Sequence, residues 1–204
     1  MRRGRPRAQL AQDHGWRYAR RGSAPGFGTV EGRWRAAGAH VADLDPAEEL
    51  TGAIAPTGRP FTLFDTTVLG GARGYRTICL LHLTVVLPPV AVVPDPDSGE
   101  PSPEGRVGPV PPWAALAFQR PPELDGAPPA EHPAFADAIV TGEVLDVTRR
   151  AGLLGWRIAG RDLIWVTRPG DRLAPERIVP VLQGLAEVAL ALPRGVVAAY
   201  ARPV

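Results

Sequence analysis

His82 is the titratable residue whose position points most directly to chemistry. It interrupts an apolar run from Ile78 to Val93, so we expect a buried imidazole. Such an imidazole can serve as a general base. One alternative function is therefore an enzyme whose site is formed by His82 together with Asp65, a carboxylate on the preceding predicted strand. A neutral, hydrogen-bonded core or interface histidine is the structural alternative, and the apolar neighbours favour it.

Several kinds of catalytic machinery are missing from the sequence. The chain has no lysine and no asparagine, which excludes Schiff-base lysines, phosphate loops that end in lysine, and Cys-His-Asn sites. No serine lies in a Gly-x-Ser-x-Gly elbow. The four histidines are far apart in sequence and form no His-Glu-x-x-His motif. We therefore predict a non-enzymatic protein with no metal and no cofactor.

The arginines are concentrated near the N-terminus. Residues 1–35 hold nine arginines against two acids, whereas the rest of the chain is net acidic. A weak nucleic-acid or anionic-surface contact is one alternative function, and a solvated or self-docked arm is the other interpretation. The candidate residues lie in a basic arm over residues 1–7, namely Arg2, Arg3, Arg5 and Arg7.

Length and composition indicate one cytoplasmic domain. A chain of 204 residues with 45% hydrophobic residues is long enough for a single domain with its own core. Its one cysteine, Cys79, excludes an intramolecular disulfide and fits a reducing compartment as a small buried hydrophobe. We find no secretion signal, and the run Ile78–Val93 is too short and too interrupted for a membrane span.

The N-terminal half predicts β-structure after one short helix. We expect a helix from Ala8 to His14, capped by Gly15, with a strand starting at Trp16. The sequence Asp45–Glu49 has the composition of a helix N-terminus. Strands are predicted over three segments rich in β-branched and apolar residues: Leu50–Ala55, Phe61–Val68 and Tyr75–Leu87. The last is apolar on both parities and is predicted to lie inside a sheet covered on both faces.

A proline-rich stretch separates this half from the C-terminal third. Residues 88–132 contain 13 of the 24 prolines and are predicted to form a surface insertion or linker. Helices follow over 133–139, 142–150 and about 175–192, and a last edge strand over 195–201.

Two tryptophans define the candidate interaction surface. Residues 155–159 and 162–167 alternate in polarity and are joined by Gly160-Arg161, which predicts a β-hairpin. That register places Trp156 opposite Trp165 on one face, where we expect them to contact a partner.

Short motifs along the chain resemble those of a loose group of uncharacterised actinobacterial proteins. They are Gly15-Trp16-Arg17-Tyr18, Gly58-Arg59-Pro60-Phe61 with Phe64-Asp65, an apolar strand that ends at Leu87-Pro88, and Leu192-Pro193. The resemblance implies an intracellular α+β protein and supplies no catalytic residues.

These observations predict one α+β domain over residues 1–204, with a mostly antiparallel sheet of about five to seven strands and helices packed on it. The predicted function is a protein-interaction module that binds a protein partner or a second copy of itself.

Overall fold

The computed structural model describes residues 6–21, 47–67, 75–94, 101–102, 133–153, 155–167 and 171–202. Within them the chain forms an α+β fold with a six-stranded antiparallel sheet, which confirms the predicted class. The strands are β1 (Arg17–Arg21), β2 (Ala47–Ile54), β3 (Arg59–Thr67), β4 (Tyr75–Pro94), β5 (Pro101–Ser102) and β6 (Trp156–Val166). The helices are α1 (Pro6–Asp13), α2 (Pro133–Ile139), α3 (Gly142–Arg150), α4 (Pro175–Ala191) and α5 (Arg194–Tyr200).

The sheet is built around β4. Its strands follow the order β1-β2-β3-β4, and β5 and β6 both pair with β4. The register of β3 against β4 runs from Phe61 opposite Leu81 to Thr67 opposite Tyr75. This antiparallel pairing agrees with the predicted strands on either side of residues 69–74, although residues 68–74 lie outside the described part of the chain.

The predicted C-terminal hairpin is wrong, because residues Trp156–Val166 form one continuous strand. The first half of β6 pairs with Leu87–Val92 and the second half with Ile78–His82, so all of β6 lies along β4. Gly160 has φ +63°, and the register shifts beside it. The extra residues lie in β4, where the five steps from His82 to Leu87 face only two steps from Asp162 to Gly160, so β4 bulges and Gly160 stays inside β6 instead of forming a turn between two strands.

All the described helices contribute to one apolar core against one face of the sheet. Buried side chains of α2, α3 and α4 pack with those of β2, β3, β4 and β6, and Ala11 of α1 joins them.

α3 begins as predicted, because the Thr141 hydroxyl accepts a hydrogen bond from the Val144 amide at 3.4 Å. The other sheet face is also buried, at Phe64, Ile78, Leu80 and Ile164. Burial on both faces confirms what the apolar character of β4 predicts.

Three boundaries differ from the sequence predictions. Residues 47–49 belong to β2 and not to a helix, since they pair with β1 and β3. Residues 195–200 are helical in α5 and not an edge strand. Residues 88–94 continue β4, with Val90 and Val92 buried, so the sheet includes the start of the predicted proline-rich insertion. Most of the remaining insertion lies outside the described residues, as do residues 1–5 of the predicted arm over 1–7. Residues 6 and 7 of that arm belong to α1, where Arg7 is buried.

α4 and α5 meet at a sharp bend of 80°. Across the described residues, no single helix has the length and hydropathy of a membrane span. The α4–α5 pair meets those two criteria when both helices are counted together.

Candidate functional site

Asp65 and His82 do not form a common site, because they lie on opposite faces of the sheet. Asp65 is opposite Thr77 in the β3–β4 register, on the face that also carries Cys79 and Leu81. His82 follows Leu81 in β4 and therefore projects from the other face. Each residue instead belongs to a buried polar cluster of its own.

The first cluster centres on Arg7 in α1. Arg7 is 6% exposed, and its Nη2 donates to Asp65 Oδ1 at 2.9 Å and to the Leu173 carbonyl at 3.0 Å. Its Nη1 donates to the Glu48 carbonyl at 3.3 Å. The Thr77 hydroxyl donates to the same Asp65 oxygen at 2.6 Å. The arginine thus has a structural role, since it joins α1 to β2, β3 and the segment before α4.

The cluster continues into the end of β6. The Leu173 amide donates to Thr77 Oγ1 at 2.9 Å, and the Thr77 amide donates to Thr167 Oγ1 at 2.9 Å. The Thr167 hydroxyl donates to the Asp171 carbonyl at 2.7 Å. The chain between β6 and α4 is therefore held against β4 by side-chain hydroxyls.

A cleft of about 430 Å³ opens beside this cluster. Arg172 lies at its rim with a half-exposed side chain, and its Nε is 3.6 Å from Asp65 Oδ2. Glu48 also lines the cleft, in a left-handed conformation with φ +53°, and its carboxylate accepts a hydrogen bond from Tyr18 at 2.7 Å. The remaining lining residues are Pro6, Arg7, Asp65, Leu173, Ala174 and Pro175.

The second cluster joins His82 to a carboxylate and a hydroxyl. His82 Nδ1 lies 2.7 Å from Asp162 Oδ1, and Nε2 lies 3.1 Å from Thr62 Oγ1. A base held between a carboxylate and a hydroxyl is the arrangement that activates nucleophiles in hydrolases. Here all three residues are at most 8% exposed, so the described conformation gives a substrate no route to Thr62. The cluster satisfies the polar groups that the sheet buries.

The two candidate tryptophans lie apart, near opposite ends of β6. Trp156 is buried, and its indole N–H donates to Thr148 Oγ1 at 2.9 Å. It therefore anchors β6 to α3 and presents no surface to a partner. Trp165 packs against the core while remaining partly exposed, so its role in binding stays a prediction.

Of the four candidate arginines, the structure describes only Arg7. Its guanidinium is engaged with Asp65 inside the fold, so it is not available to a phosphate backbone. Arg2, Arg3 and Arg5 lie outside the described residues, and their role stays a prediction.

Cys79 is a buried free thiol, as expected. Burial raises its pKa, an effect that nearby Asp65 adds to and Arg7 opposes. A thiol held protonated in this way is a poor nucleophile. Within the ranges that the structure describes, no three His, Cys, Asp or Glu side chains are grouped as metal ligands would be.

An apolar surface at the C-terminal end of the described chain was missed by sequence reasoning. Leu190 is 61% exposed at the end of α4, and α5 contains no buried residue although most of its residues are apolar. We call the exposed Leu190 and the partly buried Val196, Val197 and Tyr200 the C-terminal apolar surface. The sequence predicted a strand over 195–201, and α5 was therefore not recognised as an apolar helix. A helical projection of α4 places Leu190 on the same face as the polar residues Gln183 and Glu187, which indicates an exposed leucine.

Comparison with known proteins shows similarity in fold to a mycobacterial structure. The fold is similar to that of the mycobacterial trehalose monomycolate transport factor A, TtfA, with a TM-score of 0.57 and 16% sequence identity. The match covers 94% of this chain and 98% of the TtfA chain. No family model and no curated protein matches the sequence. A mycobacterial neighbour is consistent with the actinobacterial resemblance of the motifs, and the likeness concerns the fold alone.

Proposed function

We propose that this protein is a non-enzymatic interaction module that binds a protein partner through the C-terminal apolar surface. The observation that carries the proposal is the 61% exposure of Leu190, directly before a helix that has no buried residue. Leu190 is the exposed large hydrophobic residue of the described chain, and the partly buried Val196, Val197 and Tyr200 follow it in sequence; apolar surface that extends beyond one side chain is characteristic of binding sites.

The position of Leu190 within α4 strengthens this argument. The solvent-facing stripe of α4 carries Gln183 and Glu187, which are exposed polar residues one and two turns earlier. Leu190 continues the same stripe where a polar residue would be expected on a solvated helix. Covering it would contribute about 25 cal/mol for each Å² of apolar area removed from water.

α5 extends this surface beyond the bend. Its residues Val196, Val197 and Tyr200 pack only partly against the core, and the Tyr200 ring contacts Phe135 of α2 at a centroid distance of 5.1 Å. The backbone of Arg202 pairs with Val86 of β4. These contacts hold α5 in a fixed position, with Val196, Val197 and Tyr200 partly accessible and with Ala198 and Ala199 exposed on its outer side.

The similarity in fold to TtfA suggests, by analogy, what kind of role the proposed interaction serves. TtfA is described as a transport factor, and its fold extends over nearly the whole of both chains. We propose by analogy that this protein is an accessory factor that works by binding another protein, in the cytoplasm, and that it performs no chemistry itself.

Two variants of α4 test the function. Leu190→Glu introduces a charge at the centre of the surface, whereas Gln183→Glu introduces the same charge two turns away on the same stripe. Affinity capture with the unaltered protein should recover a specific partner or a second copy of the chain. We expect Leu190→Glu to abolish that association and Gln183→Glu to preserve it.

Sizing of the purified protein separates the two kinds of partner. A dimer that Leu190→Glu converts to a monomer identifies a second copy as the partner. A monomer that retains all its captured proteins when Leu190→Glu is introduced would overturn the proposal.

A further inference from the structure

Arg161 of β6 carries a guanidinium that has no partner within the fold. Among the described residues, its Nε is the one buried side-chain nitrogen or oxygen that makes no hydrogen bond. Its terminal nitrogens Nη1 and Nη2 also take part in no hydrogen bond or ion pair, and they are in contact with solvent. The residue as a whole is partly buried. Arg161 therefore holds a charge that is partly removed from water and is not paired within the described structure.

Such an unpaired charge costs free energy. A guanidinium cannot be deprotonated in a protein, so it cannot avoid the cost by losing its proton. Charged groups that folding removes from water are accordingly paired or hydrogen-bonded. Arg7 follows this rule, since it is 6% exposed and lies 2.9 Å from a carboxylate oxygen of Asp65. An anion bound to Arg161 would supply the compensation that the fold does not.

The carboxylate next to Arg161 in the sequence is engaged elsewhere. Asp162 Oδ1 lies 2.7 Å from His82 Nδ1, and Asp162 is 2% exposed. A carboxylate that is buried against a histidine in this way forms no ion pair with the arginine beside it. The guanidinium is therefore left for a group from outside the described chain.

Arg161 lies where the pairing of β4 with β6 is interrupted. Residues 82–87 of β4 lie opposite residues 160–162 of β6, so residues 83–86 have no register partner in β6. Bulges of this kind are over-represented next to functional sites, because they redirect side chains. Thr84 lies in this bulge and is exposed, and its hydroxyl takes part in no hydrogen bond of the described structure.

A second arginine reaches the same bulge from the C-terminal end of the described chain. The Arg202 amide donates to the Val86 carbonyl at 3.0 Å, and the Val86 amide donates to the Arg202 carbonyl at 3.1 Å. Arg202 is exposed, and no described hydrogen bond or ion pair uses its side chain. The register therefore brings two unpaired arginines and one hydroxyl to the β4 bulge.

The charges at the bulge favour an anion, and the guanidinium favours an oxyanion. Two positive groups attract a negative ligand. The planar fork of an arginine can donate to two oxygens of one carboxylate or phosphate at the same time. A threonine hydroxyl can add a third donor. A chloride ion has the charge but not the pair of oxygens, so the two contributions can be separated by experiment.

We propose that Arg161 binds an oxyanion, a phosphate or a carboxylate, at the β4 bulge, with Thr84 and Arg202 as further donors. The terminal nitrogens of Arg161 contact the ligand, since they are the guanidinium nitrogens that solvent reaches. The site uses no residue of the C-terminal apolar surface, and it does not depend on the proposed function.

An NMR titration of the full chain tests the ligand class. The probes are sodium phosphate, sodium acetate and sodium chloride at equal ionic strength and fixed pH. We expect phosphate or acetate to shift the backbone amides of residues 84–86, 160–162 and 202 saturably, and chloride to shift them little. The oxyanion that binds more tightly identifies the ligand as a phosphate or as a carboxylate. Equal shifts with chloride, or no saturable shift with either oxyanion, would overturn the proposal.

Two arginines give a matched pair of variants. Arg161→Gln removes the guanidinium at the bulge, whereas Arg177→Gln removes an exposed one in the first turn of α4. We expect Arg161→Gln to weaken binding of the tighter oxyanion by about tenfold or more, the loss of hydrogen bonds to a charged group, and Arg177→Gln to leave it unchanged. Arg161→Lys keeps the charge without the fork and should retain only part of the affinity. Full binding by Arg161→Gln would contradict the assignment.

Thermal unfolding gives a second readout for the same variants. A ligand that binds only the folded state raises the midpoint temperature of unfolding. The tighter oxyanion should therefore raise the midpoint of the unaltered protein and of Arg177→Gln by more than it raises that of Arg161→Gln. An equal rise in all three would show only the general stabilisation that such salts give to folded proteins, and it would overturn the proposal.

Discussion

At the scale of single residues, Arg7 connects more separate parts of the fold than its place in a basic N-terminal arm suggests. Its partners belong to β2, β3, β4 and the segment before α4. The ion pair with Asp65 is almost completely buried, at 7% and 3% side-chain exposure. Removing one member of a buried pair leaves the other charge without compensation, which is costly.

We expect Arg7→Met to lower the free energy of unfolding by about 3–5 kcal/mol, measured by urea denaturation. The double variant Arg7→Met with Asp65→Asn should lower the free energy of unfolding by little more than Arg7→Met alone. The reason is that Asp65→Asn removes the carboxylate charge that Arg7→Met leaves unpaired. Arg20→Met, at an exposed position of β1, is the control and should change stability by less than about 0.5 kcal/mol. Additive effects of the two cluster variants would contradict a coupled pair.

Glu49 provides a pH-dependent prediction. Burial raises the pKa of this carboxyl above its ordinary value of 4.5, and the nearby Arg17 charge only partly offsets the effect. Since the folded state favours the protonated form, ionised Glu49 destabilises the fold at neutral pH. That cost disappears as the pH falls through the raised value towards 4.5.

Glu49→Gln should therefore be more stable than the unaltered protein at pH 7, and the difference should shrink as the pH is lowered to about 4. Urea denaturation at both pH values measures it. Glu187→Gln, at an exposed position of α4, is expected to show no such difference. A Glu49→Gln variant that is less stable at pH 7 would show that the carboxylate is stabilising.

At the scale of elements, the close approach of Trp16 to β2 depends on a glycine. A Cβ at Gly52 would lie 2.8 Å from Trp16 Cγ and closer still to Cδ1. The indole donates to the Ala53 carbonyl at 3.1 Å and packs edge-on to the Phe61 ring at a centroid distance of 4.7 Å. A side chain at this position must therefore displace the ring from both contacts.

Gly52→Ala should lower the free energy of unfolding by about 1–3 kcal/mol, the cost of forcing extra volume into packed structure. Gly142→Ala is the matched control, since a Cβ there meets no atom within 4 Å. Denaturation monitored by fluorescence measures both changes. Equal stability of the two variants would contradict a tight Trp16–β2 contact.

Local signals predicted most elements, and failed where tertiary contacts decide the outcome. α3 and α4 were predictable from a Thr cap, a starting proline and an apolar stripe. β6 was not, because Gly160-Arg161 suits a hairpin turn, and only pairing with the long β4, which bulges opposite these two residues, keeps them inside one strand. Residues 47–49 were predicted as helix but are held in β2 by pairing on both sides.

The candidate site was predictable only in part, for the same reason. The sequence predicted a buried His82, and His82 is buried; it named Asp65 only as a candidate carboxylate, and the burial of Asp65 was not predicted. It did not identify their partners, because Arg7 is 58 residues from Asp65 and Asp162 is 80 residues from His82. Side chains that meet across a sheet carry no local sequence signal.

At the scale of the whole molecule, the polar clusters lie inside the fold and the described apolar surface lies outside it. The Arg7 and His82 clusters lie on opposite faces of the sheet, while Leu190 at the end of α4 and the alanines Ala198 and Ala199 of α5 are exposed to solvent. This division is what we expect of a scaffold that binds.

The most direct test of this account is site-specific photo-crosslinking in the native host. A benzophenone amino acid placed at position 190 should yield one discrete crosslinked product with a partner protein or a second copy of the chain. The same group at position 183, exposed on the same helix, should yield none. Identical products from both positions, or no product from position 190, would contradict the C-terminal apolar surface as the site of interaction.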